Sequence, residues 1–381
     1  MSEWKRKTLG DLEIVSGGTI QTGPFGSQLH MSDYSAEGVP VVMPTNIAGM
    51  RIDPSGIARV DVSHVERLAK HRLRKGDIVY SRRGDVEKCA LVTDTEEGWL
   101  CGTGCINVRV QGPQVDPVFL SYALSMPKVQ EWIRRHSVGA TMANLNTSIL
   151  REVAVPIPSM RTQRAIAEVL GALDDKIAAN RRVIDASEEL QLALFRRISR
   201  TGEHLRLGEM IRLMYGKALP QDMRVPGEVA VVGSGGVVGS HTEGLVSGPA
   251  VVVGRKGSVG TVHWIDRDAY PIDTTFWVEP IDELPLPYLH RLLESLPLNS
   301  MSSDSAVPGL NREHAYSLLL PAHDREDINR FARDVEGLIA RSSLAERENQ
   351  VLASTRDELL PLLMSGRITV GAASSHVEEV V

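Results

Sequence analysis

The stretch Pro158–Arg200 reads PSMRTQRAIAEVLGALDDKIAANRRVIDASEELQLALFRRISR, with no proline after its first residue. Its apolar residues fall mostly three or four positions apart: Ile166, Leu170, Leu173, Ile177, Ile184, Leu194 and Ile198. This spacing keeps the apolar side chains in one stripe, as in the seam of a coiled coil. At about 1.5 Å per residue the helix would be roughly 60 Å long. We therefore expect a rod whose stripe is covered by a partner helix.

A second stretch, Asp324–Ser365, has the same spacing and is the predicted partner. Its seam residues are Ile328, Phe331, Val335, Leu338, Ser342, Ala345, Leu352, Leu359 and Leu363. Each seam is interrupted by an asparagine, Asn180 in the first helix and Asn349 in the second. A polar residue at a seam position usually lowers stability and fixes the register of the pairing. We interpret both asparagines in this way.

Each predicted helix follows a globular stretch, so the chain reads as domain, rod, domain, rod. The predicted segments are a first domain (1–158), a first rod (159–203), a second domain (204–321), a second rod (322–366) and a tail (367–381). The tail is small and acidic, and we expect it to be disordered.

The two domains align with one another at several points. Gly76–Asp94 aligns with Gly248–Asp266, which places Arg82 and Arg83 opposite Arg255 and Lys256. Further along, Leu145 and Asn146 fall on Leu310 and Asn311. The loops between these points differ in length and content. The alignment therefore predicts two copies of one scaffold with different surfaces.

Composition restricts the class of protein. The chain has 381 residues, of which 42% are hydrophobic and 24% charged, and its net charge is −6. The first half is nearly balanced in charge and the second half is acidic, so contact with nucleic acid would need a local basic patch. The sequence shows no signal peptide and no membrane span. With only three cysteines, we expect a cytoplasmic protein without disulfides.

The common catalytic motifs are missing from the sequence. It has no Walker A motif, no motif for gripping a flipped base and no convincing nuclease pair. The glycine-rich run Val229–Ser240 departs from the dinucleotide fingerprint, and we interpret it as strand, turn, strand. Cys89, Cys101 and Cys105 lack the spacing of a zinc site and are expected to be buried thiols. We therefore expect no catalytic residue and no metal ligand in this chain.

Two turns remain as candidate binding elements, Ser81–Gly84 (SRRG) and Gly254–Gly257 (GRKG). Each pairs two cations with a glycine, and arginine can form a bidentate contact with a guanine edge or a phosphate. The polar turn Thr22–His30 adds hydroxyl and amide groups, with Phe25 expected to be tucked into the core. The candidate DNA-contacting residues are Ser27, Gln28, Arg82, Arg83, Asn144, Arg255, Lys256, Ser258 and Asn311.

These features together resemble the specificity subunit of type I restriction-modification systems. The resemblance is carried by GPFGSQL (Gly23–Leu29), GDIVYSRRG (Gly76–Gly84), the segment VPIPSMRTQ (Val155–Gln163) with the helix after it, and TRDELLPLLMSGRITV (Thr355–Val370). It covers almost the whole chain. The second junction, PAHDREDINRFA (Pro321–Ala332), departs from the pattern because it lacks the proline pair and the glutamine.

The resemblance implies an α+β fold in which two target recognition domains form a pseudo-twofold repeat separated by two long antiparallel coiled-coil helices. Each domain would read one part of a split, asymmetric site on double-stranded DNA. The helices would set the gap and dock two methyltransferase subunits, joined by nuclease-translocase subunits. S-adenosylmethionine, ATP and magnesium would belong to those partners. The candidate pairing and docking residues are Gln163, Ile166, Leu173, Asn180, Leu338, Asn349 and Leu359.

An alternative stays open at this point. The same architecture would suit an interaction scaffold that binds proteins through its two similar domains, with the coiled coil as a spacer. The acidic second half of the chain favours this alternative.

Overall fold

The computed structural model describes residues 4–110, 112–139, 143–301 and 309–378. Contacts divide the chain into a first unit, Met1–Ile177 with Gln350–Val381, and a second unit, Ala178–Asn349. The dividing lines thus fall within the two rods, because each half of a rod packs on the globular part beside it. None of the described helices has both the length and the apolar character needed to cross a membrane.

The first unit is a mixed α/β domain. Its strands are β1 (Lys5–Thr8), β2 (Thr19–Thr22), β3 (Tyr34–Ser35), β4 (Val39–Val42), β5 (Ile47–Ala48), β6 (Arg51–Ile52), β7 (Ala58–Val60), β8 (Ile78–Ser81), β9 (Cys89–Leu91), β10 (Leu100–Cys101), β11 (Cys105–Arg109) and β12 (Ala154–Ile157). Its shorter helices are α1 (Leu9–Ser16), α2 (Val62–Arg67), α3 (Pro117–Ser125), α4 (Pro127–His136) and α5 (Thr147–Glu152). The main sheet has the order β2-β11-β8-β9, a second sheet has the order β10-β4-β7-β3, and β1 pairs with β12.

The second unit begins within the helix α6 (Met160–Phe195). Its strands are β13 (Arg200–Arg206), β14 (Ile211–Tyr215), β15 (Val229–Gly233), β16 (Gly236–His241), β17 (Ala250–Gly254), β18 (Val262–Ile265), β19 (Ala269–Pro271), β20 (Thr275–Pro280) and β21 (Leu319–His323). Its helices are α7 (Leu207–Met210), α8 (Leu286–Glu294), α9 (Arg312–Tyr316) and most of α10 (Arg325–Met364). The main sheet has the order β14-β20-β17-β18, the three-stranded sheet has the order β16-β15-β19, and β13 pairs with β21.

The predicted repeat is confirmed by these topologies. The main sheets match strand for strand, with β2, β11, β8 and β9 corresponding to β14, β20, β17 and β18. The helix before the last strand begins at an equivalent cap in both units. Asn146 Oδ1 accepts a hydrogen bond from Ile149 N at 2.9 Å, and Asn311 Oδ1 accepts one from His314 N at 3.1 Å. The fold class predicted from the sequence, α+β with long rod helices, is therefore correct.

The rod helices α6 and α10 pair antiparallel within the first unit. Ile166, Leu170, Leu173 and Ile177 share one buried cluster with Leu352, Leu359 and Leu363. The same cluster contains the apolar core of the globular part, which explains why the rod is not a separate domain. A buried carboxylate links the rod helices to the globular part. Asp174 of α6 accepts hydrogen bonds from Tyr122 Oη of α3 at 2.6 Å and from Arg356 Nη1 of α10 at 2.7 Å.

The rod helices are again antiparallel within the second unit, but their seam is more polar. Asn180 contacts Asn349, and nearer the end of the pair Ser199 N donates to Asp327 Oδ2 at 3.1 Å. Ser187, Gln191 and Ser343 are buried along this part of the helices. Polar seam residues lower the stability gained from burial and restrict the register.

Some expectations differ from the structure. The tail was expected to be disordered, but Val370–Glu378 forms helix α11. This helix packs Ala373 and Val377 into the core of the first unit. Alanine and valine four residues apart supply an apolar face that composition alone conceals. The first rod ends at Phe195 rather than 203, because the chain then forms β13. Phe25 is 57% exposed rather than tucked into the core.

Two interpretations that assigned only a structural role to a motif are confirmed. The glycine-rich run forms the β15–β16 hairpin rather than a turn that opens a helix. The three cysteines are buried free thiols. Burial raises the pKa of both Cys89 and Cys101 to about 12, so these thiols are protonated at neutral pH and are poor nucleophiles.

Candidate nucleic-acid interface

The turn that follows β8 is tied to the sheet on one side and to a loop on the other. Arg82 N donates to Gly104 O at 2.8 Å, and Leu145 N donates to Arg82 O at 2.9 Å. Gly84 has a φ of 75°, a left-handed conformation that favours glycine. These backbone bonds hold the start of the turn and leave Arg83 exposed at its tip.

The turn that follows β17 is built from equivalent bonds. Arg255 N donates to Thr274 O at 2.9 Å, and Leu310 N donates to Arg255 O at 2.8 Å. Gly257 has a φ of 80°. The alignment of Arg82 with Arg255 is therefore an equivalence in three dimensions as well as in sequence. We call Ser81–Gly84 and Gly254–Gly257 the arginine turns.

Both arginine turns carry the same unsatisfied donor. The Nε atoms of Arg82 and Arg255 are buried, and neither has a hydrogen-bond partner among the described residues. A buried polar group left unpaired costs about 1–3 kcal/mol. The same unpaired donor in two units with different loops supports the structural equivalence of the two turns.

The surroundings of the two turns differ. In the first unit the backbone of Arg83 bridges to Asn144, whose side-chain oxygen is buried without a partner in the described structure. In the second unit Lys256 bridges instead to Gly309. The structure thus brings Asn144, another candidate DNA-contacting residue, next to the first turn. At the equivalent position beside the second turn lies Gly309.

A basic groove lies beside the second turn. It has a volume of about 250 Å³ and is lined by Tyr215, Arg255, Lys256 and Gly309–Glu313. Sequence reasoning missed Tyr215 and Arg312. A signal for both was present, since Arg312 follows the aligned Asn311 and Tyr215 ends the first strand of the sheet before a glycine.

Asn311 and Ser258 have local structural roles. Asn311 uses its side-chain oxygen to cap α9. The carbonyl of Ser258 accepts a hydrogen bond from Thr261 Oγ1 at 3.0 Å, and its side chain is exposed. Their expected contact with DNA stays a prediction.

The polar turn Thr22–His30 is stabilised by the side-chain amide of Gln28. Gln28 Oε1 accepts from Phe25 N at 3.1 Å, and the carbonyl of Gln28 accepts from Arg67 Nη2 at 2.9 Å. The amide oxygen of Gln28 is therefore committed to the turn, which leaves its Nε2 donor. Ser27 is exposed at the tip.

The residues expected to dock partner subunits lie mostly inside the chain. Gln163 is fully buried, and its amide makes three hydrogen bonds, with Asp116 N, Gln114 O and Pro158 O. The remaining residues pack or pair between the rod helices: Ile166, Leu173 and Leu359 in the first unit, and Asn180, Leu338 and Asn349 in the second. These side chains take part in helix pairing, and Leu338 and Asn349 are only partly buried. Docking of a partner subunit by these residues stays a prediction.

Comparison with known proteins finds one family for the first half of the chain. The family described as "Type I restriction modification DNA specificity domain" matches residues 1–188. The MjaIX specificity subunit of Methanocaldococcus jannaschii is 24% identical over 199 residues, which are 51% of this chain and 43% of that protein. The HindI specificity subunit of Haemophilus influenzae is 24% identical over 202 residues, 51% and 40% of the two chains. The match thus spans less than half the length of each of these relatives.

A solved structure shows the fold over nearly the whole chain. The S subunit of a type I restriction-modification system from M. genitalium superposes with a TM-score of 0.61 at 20% identity, covering 94% of this chain and 96% of that one. That S subunit therefore shares the fold of this chain. On the family match, residues 1–188 belong to the family of type I restriction modification DNA specificity domains, and the chain resembles type I specificity subunits over about half of its length.

Proposed function

We propose that this chain reads DNA sequence for a type I restriction-modification complex, each unit contacting one part of a bipartite, asymmetric site. The observation that carries the proposal is the matched pair of arginine turns, which equivalent backbone hydrogen bonds hold at the same place in the two units. Arginine is the side chain best suited to a guanine edge or a phosphate, because its planar fork donates two parallel hydrogen bonds.

Different surroundings of equivalent turns support an asymmetric site. Asn144 stands beside the first turn, whereas Tyr215 and Arg312 stand beside the second. One scaffold that carries unlike side chains at the same place would recognise unlike half-sites. Dimeric DNA readers contact half-sites about one helical turn apart, ~34 Å, through two copies of a domain.

The catalytic steps would belong to partner subunits. Two methyltransferase subunits would supply S-adenosylmethionine chemistry, and nuclease-translocase subunits would use ATP and magnesium, all in the cytoplasm. This chain would contribute recognition and no catalytic residue. Its net charge of −6 is compatible with that role, because phosphate contacts from the partners would add to the electrostatic part of binding.

Mapping of methylated bases tests the proposal. Genomic DNA would be sequenced for modified bases in cells with the chain, without it, and with the variant Arg82→Ala/Arg83→Ala. We expect a bipartite methylated motif that disappears without the chain. If every methylated motif persists in its absence, the proposal fails and the scaffold alternative becomes the better account.

A further inference from the structure

Two guanidinium groups of the second unit lie against one aromatic ring. The Cζ atoms of Arg255 and Arg312 are 5.1 and 5.3 Å from the ring centroid of Tyr215. Each also contacts a second ring, since Arg255 is 5.8 Å from Phe276 and Arg312 is 5.9 Å from Tyr316. Cations within about 6 Å of an aromatic face are attracted by its electrons. These two arginines are therefore held in place rather than loose in solvent.

The rings themselves are fixed by the sheet. Tyr215 of β14 is paired with Phe276 of β20, and their rings are 4.9 Å apart. Tyr316 accepts a hydrogen bond at its hydroxyl from Leu213 N at 2.7 Å. The aromatic support is thus built on strands and on α9, and it can hold the guanidinium groups before any ligand arrives.

The charge in the groove is not balanced. Arg255, Arg312 and Lys256 line it together with one carboxylate, that of Glu313, which is 3.5 Å from Arg312 Nε in an exposed pair. Arg255 Nη2 donates to a neutral acceptor, the carbonyl of Asp273, at 2.9 Å. Arg255 Nε has no hydrogen-bond partner among the described residues. Cations held close together repel one another, and an anion between them relieves the repulsion.

We propose that this groove binds a backbone phosphate of duplex DNA, with Arg255 and Arg312 as the phosphate contacts and Tyr215 as a positioning residue. The inference rests on the proposed function and specifies the ligand of its second unit. A guanine edge offers two acceptors in the major groove, fewer than three converging cations can use. The amide of Asn311, which could read a base, already uses its oxygen as a helix cap.

The described part of the first unit places neither a ring nor a second arginine at the equivalent positions. Thr22 ends β2 as Tyr215 ends β14; Thr22 is paired with Ile106 and Tyr215 with Phe276 in the matching strands. Thr147 follows the cap Asn146, as Arg312 follows Asn311. The ring and the second arginine therefore distinguish the second unit from the first. They give the more acidic half of the chain a local site for DNA.

Binding of a labelled duplex at several salt concentrations tests the inference. The full chain, assembled with its methyltransferase subunits, would be titrated with a duplex that carries the cognate motif and with a scrambled duplex of equal length. Arg312→Ala should weaken binding to both duplexes by the same factor, about tenfold, as expected when one charge-assisted hydrogen bond to a phosphate is removed. The slope of log K against log salt should fall by about one.

Variants of the support and of a distant arginine provide controls. Tyr215→Thr, which copies the first unit, should weaken binding to both duplexes, whereas Tyr215→Phe keeps the ring and should bind like wild type. Arg212→Ala removes an exposed arginine of β14 that does not line the groove and should have little effect. If Tyr215→Thr does not fold, Arg312→Ala carries the test.

Two results overturn the inference. A loss confined to the cognate duplex would mean that the groove reads bases, and equal effects of Arg312→Ala and Arg212→Ala would mean that it binds no phosphate. The proposed function fails on a different result, namely wild-type binding with no preference for the cognate duplex.

Discussion

Asn180 and Asn349 face each other across the rod helices of the second unit. Asn180 Nδ2 donates to Asn349 Oδ1 at 3.1 Å and to Glu348 Oε2 at 2.7 Å. Both asparagines lie in the more polar part of the seam, and their side-chain amides contact each other. Because a shift of either helix would separate these polar groups, the contact favours a single antiparallel register for α6 and α10.

The pair predicts strong coupling between two substitutions. Asn180→Leu should lower the free energy of unfolding by about 1–2 kcal/mol, because Asn349 Oδ1 loses its donor in a largely buried place. Asn180→Leu/Asn349→Leu should recover most of this loss, since two leucines extend the apolar seam. Urea unfolding of the single and double variants measures the coupling, expected at about 0.5–3 kcal/mol.

A matched control separates the pair from a general effect of leucine. Glu189→Leu adds the same side chain on the exposed face of α6 and should change stability by less than about 0.5 kcal/mol. Additive effects of the two asparagine substitutions would show that they do not interact in solution.

Spacing along the chain was enough to predict the rods, because a seam repeats every few residues and needs no distant information. The same holds for the arginine turns, which repeat in sequence. The basic groove could not be predicted in this way. Tyr215, Arg255 and Arg312 come from β14, the turn after β17 and α9, and only the folded sheet brings them together.

Gln163 shows a different limit of sequence reasoning. A glutamine near the start of a rod helix is typical of an exposed residue, but the loops before α3 and α6 cover it and supply its three hydrogen-bond partners. Backbone acceptors have no signature in a sequence. The tail was mispredicted for a related reason, because small residues indicate disorder until a neighbouring surface is available to bury them.

Gln163 therefore predicts a loss of stability rather than a defect limited to assembly. Gln163→Leu leaves Asp116 N, Gln114 O and Pro158 O without their partner, and each unpaired buried group costs about 1–3 kcal/mol. Denaturant unfolding of the purified chain should show the loss. Gln350→Leu, an exposed glutamine of α10, is the control. Wild-type stability combined with failure to bind a methyltransferase subunit would restore the docking interpretation.

The first arginine turn predicts a defect in one half-site. Arg82→Ala/Arg83→Ala should weaken recognition of that half by about 1–3 kcal/mol for each arginine that donates a bidentate pair of hydrogen bonds to a base. Competition binding with duplexes altered in one half-site at a time measures it. Lys75→Ala, whose ammonium is 2.7 Å from Asp94, is the control cation of the same unit. Unchanged discrimination at both half-sites would show that the turn is solvated surface.

His290 predicts a pH dependence of the second unit. Burial lowers the pKa of His290 to about 3, far below its usual value near 6.5. As pH falls below about 6.5, the unfolded chain binds a proton that the folded chain excludes, so stability decreases towards pH 3. The slope is at most about 1.4 kcal/mol per pH unit for one proton.

Comparison with His290→Gln isolates this effect. Burial raises the pKa of Glu294, whose carboxylate is 3.6 Å from His290 Nε2, and this acts in the opposite direction, so the two proteins are also compared in a Glu294→Gln background. Urea unfolding should be measured between about pH 4.5 and 7.5. Wild type should lose stability relative to the variant as pH falls. Parallel curves would mean that His290 is protonated as easily in the folded chain as in the unfolded one.

The rod predicts the gap between the proposed half-sites. Seven residues inserted after Ile177 in α6, with seven before Gln350 in α10, keep the seam spacing and the Asn180–Asn349 register. At about 1.5 Å per residue they lengthen the pair by roughly 10 Å, or about three base pairs of duplex. Sequencing of methylated DNA should show a longer gap between unchanged half-sites. The insertion in α6 alone should instead abolish methylation, because it shifts Asn180 away from Asn349. Altered half-site sequences with an unchanged gap would show that the helices do not set the spacing.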